Sequence, residues 1–379
     1  MDNYLLSGAQ AIPETTKNDI KELVANVEDT QEKIRLVYEY MQDRTRYVSI
    51  QVGIGGWKPM LATEVDNLGY GDCKALSNYT KSLLDVAGIP SYYTILYGGG
   101  DKRDIQKDFP SLQGNHAILA VPVEDDYIWL ECTSQTVPYG FIADFTDDRD
   151  VLIITPEGGE IVHTKIYKEE DNSQLLNGSV TLTENGDLKA TVTLHSQGTQ
   201  YDDSYQVERY SEEDKKTHYY DLWDYVNNMS IETIIIDNDK EKAELKEEVT
   251  FLAKNYGTFA GDDMLVSLNA LNKFRLLPNK NRERRYDIEI SRGFYDKDEV
   301  RINIPNTMEI RELPEDVAIS NEYGKYTYSV RRQGENELLY KRTFVLNEGS
   351  YDKVKYDEFR KFLKSVVKHD NQKIIVNKI

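Results

Sequence analysis

The chain has 379 residues, 39% hydrophobic and 30% charged, a composition that predicts a globular protein too long for one ordinary core. Its 46 Lys and Arg stand against 66 Asp and Glu, a formal charge of −20, and that potential repels phosphate backbones and anionic bilayers, so no nucleic-acid partner is expected. No apolar run reaches the length of a spanning helix, which argues against membrane insertion, and two cysteines without CxxC or HExxH argue against a disulfide framework, a zinc site or any cofactor.

The opening stretch MDNYLLSGAQAIPETTK has no basic segment followed by an apolar one, so no secretion signal is visible. The chain then reads either as cytoplasmic or as the mature part of something exported. Its texture changes near residue 165, from alternating helices and strands to short alternating strands with a few helices. Two domains are expected, 1–165 and 166–379, with an α+β fold class overall.

A short helix is expected around Asn18–Val24. A second is marked by Asp29, three residues before Glu32 in capping-box spacing, with Ile34, Val37, Tyr38 and Met41 forming one apolar stripe. Arg46–Val52 reads as a strand, and Gly53–Pro59 as a glycine-rich loop without a phosphate-cradle pattern. The third helix is the informative one. Asp72 is placed as its N-cap and Gly88 as its stop, which puts Cys73 in the first turn. There the unpaired amides and the positive end of the macrodipole favour a thiolate and can hold an oxyanion.

Three strands follow, over Tyr92–Tyr97, His116–Val121 and Tyr127–Cys132, the first two separated by a long polar loop from Gly98 to Gly114. Pro122 reads as the start of a turn, because it cannot donate to a ladder. A hairpin centred between Val123 and Glu124 sets His116 opposite Glu131, on one face of the sheet. Cys73, His116 and Glu131 then supply a nucleophile, a base and a carboxylate to orient the base. For the second oxyanion donor Gln51 and Trp57 are candidates. Cys132 is expected to be an inert buried thiol. His163, His195, His218 and His369 show no partner pattern.

Gly71-Asp72-Cys73-Lys74, Asn115-His116-Ala117 and Trp129-Leu130-Glu131-Cys132-Thr133 resemble the transglutaminase-like, papain-like cysteine superfamily, in particular its bacterial branch with a β-rich accessory domain. Arg46-Tyr47-Val48, the Gly-Gly-Trp-Lys-Pro loop and Val137-Pro138-Tyr139-Gly140 carry the likeness further, over residues 30 to 145. The resemblance implies a transglutaminase-like core and an extracytoplasmic setting. It also implies acyl transfer on a polypeptide or peptide-like amide through a thioester at Cys73, with hydrolysis favoured. The alternatives are a catalytically silent fold serving as a binding or scaffold module, and an amine-accepting cross-linker. In two places the chain departs from the family pattern: Glu131 stands where Asp is usual, and Ala75 where a charged residue follows the GDCK motif.

From residue 166 a polar linker (Lys168–Ser173) leads to a hairpin signal, Val180–Thr183 and Leu188–Leu194 around Glu184-Asn185-Gly186-Asp187. Residues 201 to 226 read as helical, with Tyr219, Leu222, Trp223 and Val226 on one face. Further alternating segments and a last helix, Tyr356–Val367, suggest a sandwich-like domain with a few helices. No catalytic constellation is visible in it.

Overall fold

The computed structural model describes residues 8–50, 53–281 and 283–379. It divides into two compact units, Met1–Ile166 and Tyr167–Ile379. Among the described residues no helix is long and apolar enough to cross a membrane.

The first unit opens with helices α1 (Glu14–Val24) and α2 (Thr30–Arg44). The carboxylate of Asp29 caps α2, accepting from the amides of Gln31 at 2.7 Å and Glu32 at 3.3 Å, as the spacing predicts. Ile34, Val37, Tyr38 and Met41 are fully buried, each stabilising the fold by about 2 kcal/mol over exposure. Of the strand expected at 46–52, only β1 (Arg46–Tyr47) pairs, in parallel with β2 (Tyr70–Gly71); residues 51 and 52 lie outside the described part. The glycine loop makes a 3₁₀ turn over Gly53–Gly56. Helix α3 (Ala62–Leu68) starts after Leu61, whose own side chain cannot cap; Glu64 reaches back instead, accepting from the Leu61 amide at 3.2 Å. Helix α4 (Cys73–Val86) begins where expected, Asp72 capping it by accepting from the Ala75 amide at 3.0 Å.

Five strands complete the unit: β3 (Tyr92–Leu96), β4 (His116–Val123), β5 (Asp126–Leu130), β6 (Asp150–Thr155) and β7 (Gly158–His163). They form one antiparallel sheet in the order β5-β4-β3-β6-β7. Strand alternation sorts its two faces. Leu119, Val121 and Leu130 pack with α2 and with Leu76, Tyr79, Leu83 and Leu84 of α4, while Ile118, Ala120 and Trp129 meet Leu96, Ile142, Val151 and Ile153.

The β4–β5 hairpin differs from expectation in register. Val123 pairs with Asp126 and Leu119 with Leu130, so the centre lies one residue later, between Glu124 and Asp125. Glu124 adopts the left-handed conformation, φ 53°, that a two-residue hairpin turn requires. Extending this ladder sets residue 116 opposite 133 and residue 131 opposite 118. His116 and Glu131 are therefore diagonal neighbours rather than directly opposed. The displacement is two residues, so they keep a common face. Pro122 belongs to the strand, paired with Tyr127. Next to a two-residue turn that pair is non-hydrogen-bonded, so the missing donor would face away from β5, and β3 ends opposite Ala120.

The second unit contains β8 (Ser173–Leu182), β9 (Leu188–Gln197), helix α5 (Thr199–Asp202), helix α6 (Glu212–Leu222), β10 (Met229–Asp239), β11 (Glu244–Ala253), β12 (Thr258–Ala260) and β13 (Asp263–Ser267). After them come β14 (Ile288–Ile290), β15 (Phe294–Asn303), β16 (Met308–Ile310), β17 (Val317–Asn321), β18 (Gly324–Arg332), β19 (Glu337–Leu346), β20 (Gly349–Tyr351), helix α7 (Tyr356–Asp370) and β21 (Lys373–Lys378). An eight-stranded sheet runs β10-β11-β9-β8-β15-β19-β18-β17, parallel only between β8 and β15, and a four-stranded sheet runs β12-β13-β21-β16. Side chains of both sheets, α6 and α7 share one core that includes Trp223, Phe251, Tyr326, Phe344, Phe362 and Val376.

Two expectations for this unit are corrected. The helix anticipated over 201–226 is broken into α5, a 3₁₀ turn (Tyr205–Arg209) and α6, because Ser211 caps a new start, accepting from the Asp214 amide at 3.1 Å. Tyr219, Trp223 and Val226 are buried, whereas Leu222 is exposed. The polar stretch 168–173 ends in an anchor: Asn172 is fully buried, donating to the Gly293 carbonyl at 3.0 Å and accepting from the Thr199 amide at 2.9 Å.

The deepest polar feature of the unit is Arg342. Its guanidinium donates to Asp298 at 2.9 Å and to both oxygens of Asp370 at 2.9 and 3.0 Å, with Asp296 at 3.7 Å. Three buried acids thus share one cation. Burial pushes the Asp298 carboxyl up to about 7, with Arg342 pulling it down and Asp296 adding to the rise. Its folded-state value then lies above its unfolded one, so the stability it contributes is full below the ordinary carboxylate range and is lost as pH climbs through about 7. The urea midpoint of the second unit should accordingly fall between pH 5 and pH 8, and Asp298→Asn should flatten that dependence; an unchanged slope in the variant would refute this assignment.

Candidate active site

Helix α4 presents Cys73 in its first turn. The first intrahelical bond runs from the Leu76 amide to the Asp72 carbonyl at 2.9 Å, so the amides of Cys73 and Lys74 precede it and are not used by the helix. Lys74 closes an ion pair with the Asp72 carboxylate. Ala75, at the position of one departure from the family pattern, is fully buried against Gly71, where a Cβ would come within 2.7 Å of its own. Cys73 itself is 5% exposed and packs with Tyr93 and Ala117.

His116 opens β4, and Glu131 follows the last residue of β5. Their side chains meet at 2.8 Å, His116 Nε2 to Glu131 Oε2, with both largely shielded from water. Cys73 lies near enough to His116 to act on its titration, and the two line one cleft. The three residues singled out in the sequence therefore converge. The extra methylene of Glu131 helps span the diagonal offset set by the hairpin register. Its second oxygen accepts from the Thr133 amide at 3.0 Å and the Thr133 hydroxyl at 2.5 Å, so neither oxygen is free to swing.

Burial works against an imidazolium at His116, but the charge of Glu131, followed by the nearby Cys73 and the hydrogen bond to Glu131, outweighs it and raises the group to about 10. Burial likewise opposes the Glu131 carboxylate. The His116 charge and hydrogen bond, with the Thr133 bonds, hold it below the usual carboxylate range nonetheless. Each partner stabilises the charged form of the other.

Long-range contacts set this geometry. Ser77, one turn beyond Cys73, donates to the Ala117 carbonyl at 3.1 Å and ties α4 to β4 beside His116. Tyr38 of α2 donates to the Glu131 carbonyl at 2.7 Å, and Gln42 donates to the Ser134 and Val137 carbonyls at 2.8 and 2.9 Å. Phe145 stands edge-on to the His116 ring, centroids 5.2 Å apart. A Cβ at Gly98 would lie 2.6 Å from the Phe145 ring and 3.0 Å from the His116 Cβ, so only glycine fits there without displacing them. Behind them the buried Arg149 donates to the backbone carbonyls of Tyr97, Gly99, Asp144 and Asp147.

Cys73 and His116 line a cleft of about 1110 Å³, with Trp57 also on its wall. Gln51, the other oxyanion candidate, lies outside the described residues. Tyr93 and Phe145 were not indicated by sequence reasoning; strand periodicity alone does not single out one tyrosine among 27. Burial, and then the nearby Cys73, push the Tyr93 phenol well above 10. Cys132 is wholly buried, its thiol raised to about 12 mainly by burial. Two histidines expected to be without partners have them: His163 bridges Asp148 at 2.8 Å and Asp150 at 2.7 Å, and His195 meets Glu244 at 3.1 Å. Among the described residues no group of His, Cys, Asp and Glu is arranged to hold a metal ion.

Comparison with known proteins adds two likenesses. Residues 262–376 match a family described as a Domain of Unknown Function with solved-structure structure, DUF3858. The whole chain is similar in fold to a crystal structure named a putative protease from Parabacteroides distasonis ATCC 8503. That match has a TM-score of 0.52 at 14% identity and covers 99% of this chain. The chain spans 57% of the length of that structure. No curated protein matches the sequence.

The paired charges make a direct prediction. Glu131→Gln keeps an acceptor near Nε2 but removes the anion, so the His116 titration followed by imidazole NMR should fall by about 1–3 pH units. An unmoved midpoint would mean that the carboxylate does not govern the ring.

Proposed function

We propose that the first unit performs cysteine-dependent acyl transfer on an amide bond, with hydrolysis as the outcome. The observation that carries this reading is the 2.8 Å bond between His116 Nε2 and Glu131 Oε2, beside a cysteine in the first turn of a helix that lines the same cleft. A buried imidazole paired with a carboxylate beside such a cysteine suits a base held against its nucleophile.

In this mechanism Cys73 and His116 stand as a thiolate–imidazolium pair, the thiol proton already on the ring, and the sulfur attacks the amide carbonyl carbon. The unused Cys73 amide, and the Trp57 indole N–H as the described candidate for a second donor, donate to the developing oxyanion. Collapse breaks the C–N bond, and His116 returns its proton to the departing amine. Water then attacks the thioester, giving up a proton to His116, and the acid leaves as the thiolate–imidazolium pair reforms. Glu131 keeps the ring in one tautomer and steadies its cation throughout. The bonds from Thr133 to Glu131 argue that glutamate at this position can serve as the usual aspartate would, which favours activity over a silent fold.

The likeness to the Parabacteroides structure supports a shared fold, and that protein's naming as a putative protease agrees with a peptide substrate. Iodoacetamide should label Cys73 faster than an ordinary thiol at neutral pH, while Cys132 stays unlabelled until unfolding. His116→Ala should lower peptide hydrolysis by about 10²–10⁴-fold and Cys73→Ala should abolish it. Labelling of Cys73 at the rate of a free thiol, with hydrolysis surviving in Cys73→Ala, would sink the proposal.

A further inference from the structure

Between β3 and β4 lies the long segment that composition marks as a polar loop. Its structure presents the opposite character to the cleft. Phe109 is 63% exposed and Leu112 72% exposed, and both line the same cleft as Cys73 and His116, with Trp57, 49% exposed, also on its wall. Large apolar side chains held out in water at this level, together and beside a reactive centre, mark a binding surface.

The loop backbone is built to keep them there. Gln113 donates through Nε2 to the Gln106 carbonyl at 3.0 Å and the Phe109 carbonyl at 2.9 Å, and accepts the Gln106 amide at 2.8 Å. Asn115 clamps Gly98, accepting from its amide at 2.7 Å and donating to its carbonyl at 3.1 Å. The Ile105 amide donates to the Asp150 carbonyl at 3.0 Å, and the Asp150 amide to the Asp104 carboxylate at 2.8 Å. Gly114, at φ +87°, turns the chain back where a Cβ would strike the Leu96 carbonyl at 2.8 Å. The side-chain amides of Gln113 and Asn115 are thus committed to the loop itself, and the apolar part of what the loop offers the cleft is Phe109, Pro110 and Leu112, beside Gln106, Lys107 and Ser111. An apolar side chain seated on these three residues loses its water without losing hydrogen bonds.

We propose that the 105–113 loop, with Trp57, is a preformed subsite for an aromatic or branched aliphatic side chain of a polypeptide substrate, seated near the amide that Cys73 attacks. This rests on the acyl-transfer reading above and adds the substrate class to it. Gln113 acts as a positioning residue for the subsite.

Three chloromethyl ketones test it: acetyl-Gly-Gly-Gly, acetyl-Gly-Phe-Gly and acetyl-Gly-Gly-Phe, with the rate of Cys73 modification read by mass spectrometry. At least one phenylalanine reagent should react about tenfold or more faster than the glycine reagent. The Phe109→Ala/Leu112→Ala double variant, whose substitutions fall on exposed side chains, should bring that ratio close to one. Gln113→Ala should lower the ratio too, with both apolar residues still present. If iodoacetamide labels wild-type Cys73 rapidly yet all three reagents react alike, or if the double variant keeps the full preference, the subsite is refuted and the nucleophile stands. Slow iodoacetamide labelling would bring down both.

Discussion

A buried imidazole and a buried carboxylate, joined at 2.8 Å, set the terms for the first unit. Neither charge would be tolerated there alone, since desolvation opposes each. Together they are stable only if nothing lets them drift apart, and the surrounding contacts serve that end. Thr133 occupies the free oxygen of Glu131, Tyr38 and Gln42 hold the chain after β5, and Phe145 closes over the ring. With the ring so fixed, the bond from Ser77 to the Ala117 carbonyl determines where α4, and hence the sulfur, sits beside it. The candidate chemistry is a consequence of packing between α2, α4 and the hairpin.

The same dependence explains what could be read from residues alone. Helix α4 was legible because capping is local: an aspartate, a cysteine in the next position and a glycine stop carry the whole message. The pairing of His116 with Glu131 was legible through parity. The hairpin centre was misplaced by one residue, yet that error moves the register by two and returns the same face. Pro122 misled because its missing donor matters only when it faces a partner strand, which depends on register. Arg149, Tyr93 and the Gln113 staple left no trace, since their partners lie far away in sequence or are backbone atoms. The polar character of the 98–114 loop concealed its role: Gln113 and Asn115 fold the loop, and Phe109 and Leu112 line the cleft.

The second unit obeys a different constraint. Its strands alternate cleanly, and most of them fall where alternation places them, but its centre is ionic. Arg342 is completely buried among Asp296, Asp298 and Asp370, with Asn272 and the Tyr326 hydroxyl adding hydrogen bonds to the acids. These acids come from β15 and the end of α7, and Arg342 from β19, so the cluster joins elements that are remote in sequence. A cluster of this kind stabilises little in net terms while making wrong pairings costly.

The central claim is covalent, and it can be weighed. A short peptide ester, mixed with the full chain and quenched in acid within the first turnovers, should leave the mass of its acyl group on the protein, and peptide mapping should place it on Cys73. The adduct should be absent from the Cys73→Ala protein. Acyl mass found on Cys132 or on lysines, or none at all while ester is consumed, would contradict the account.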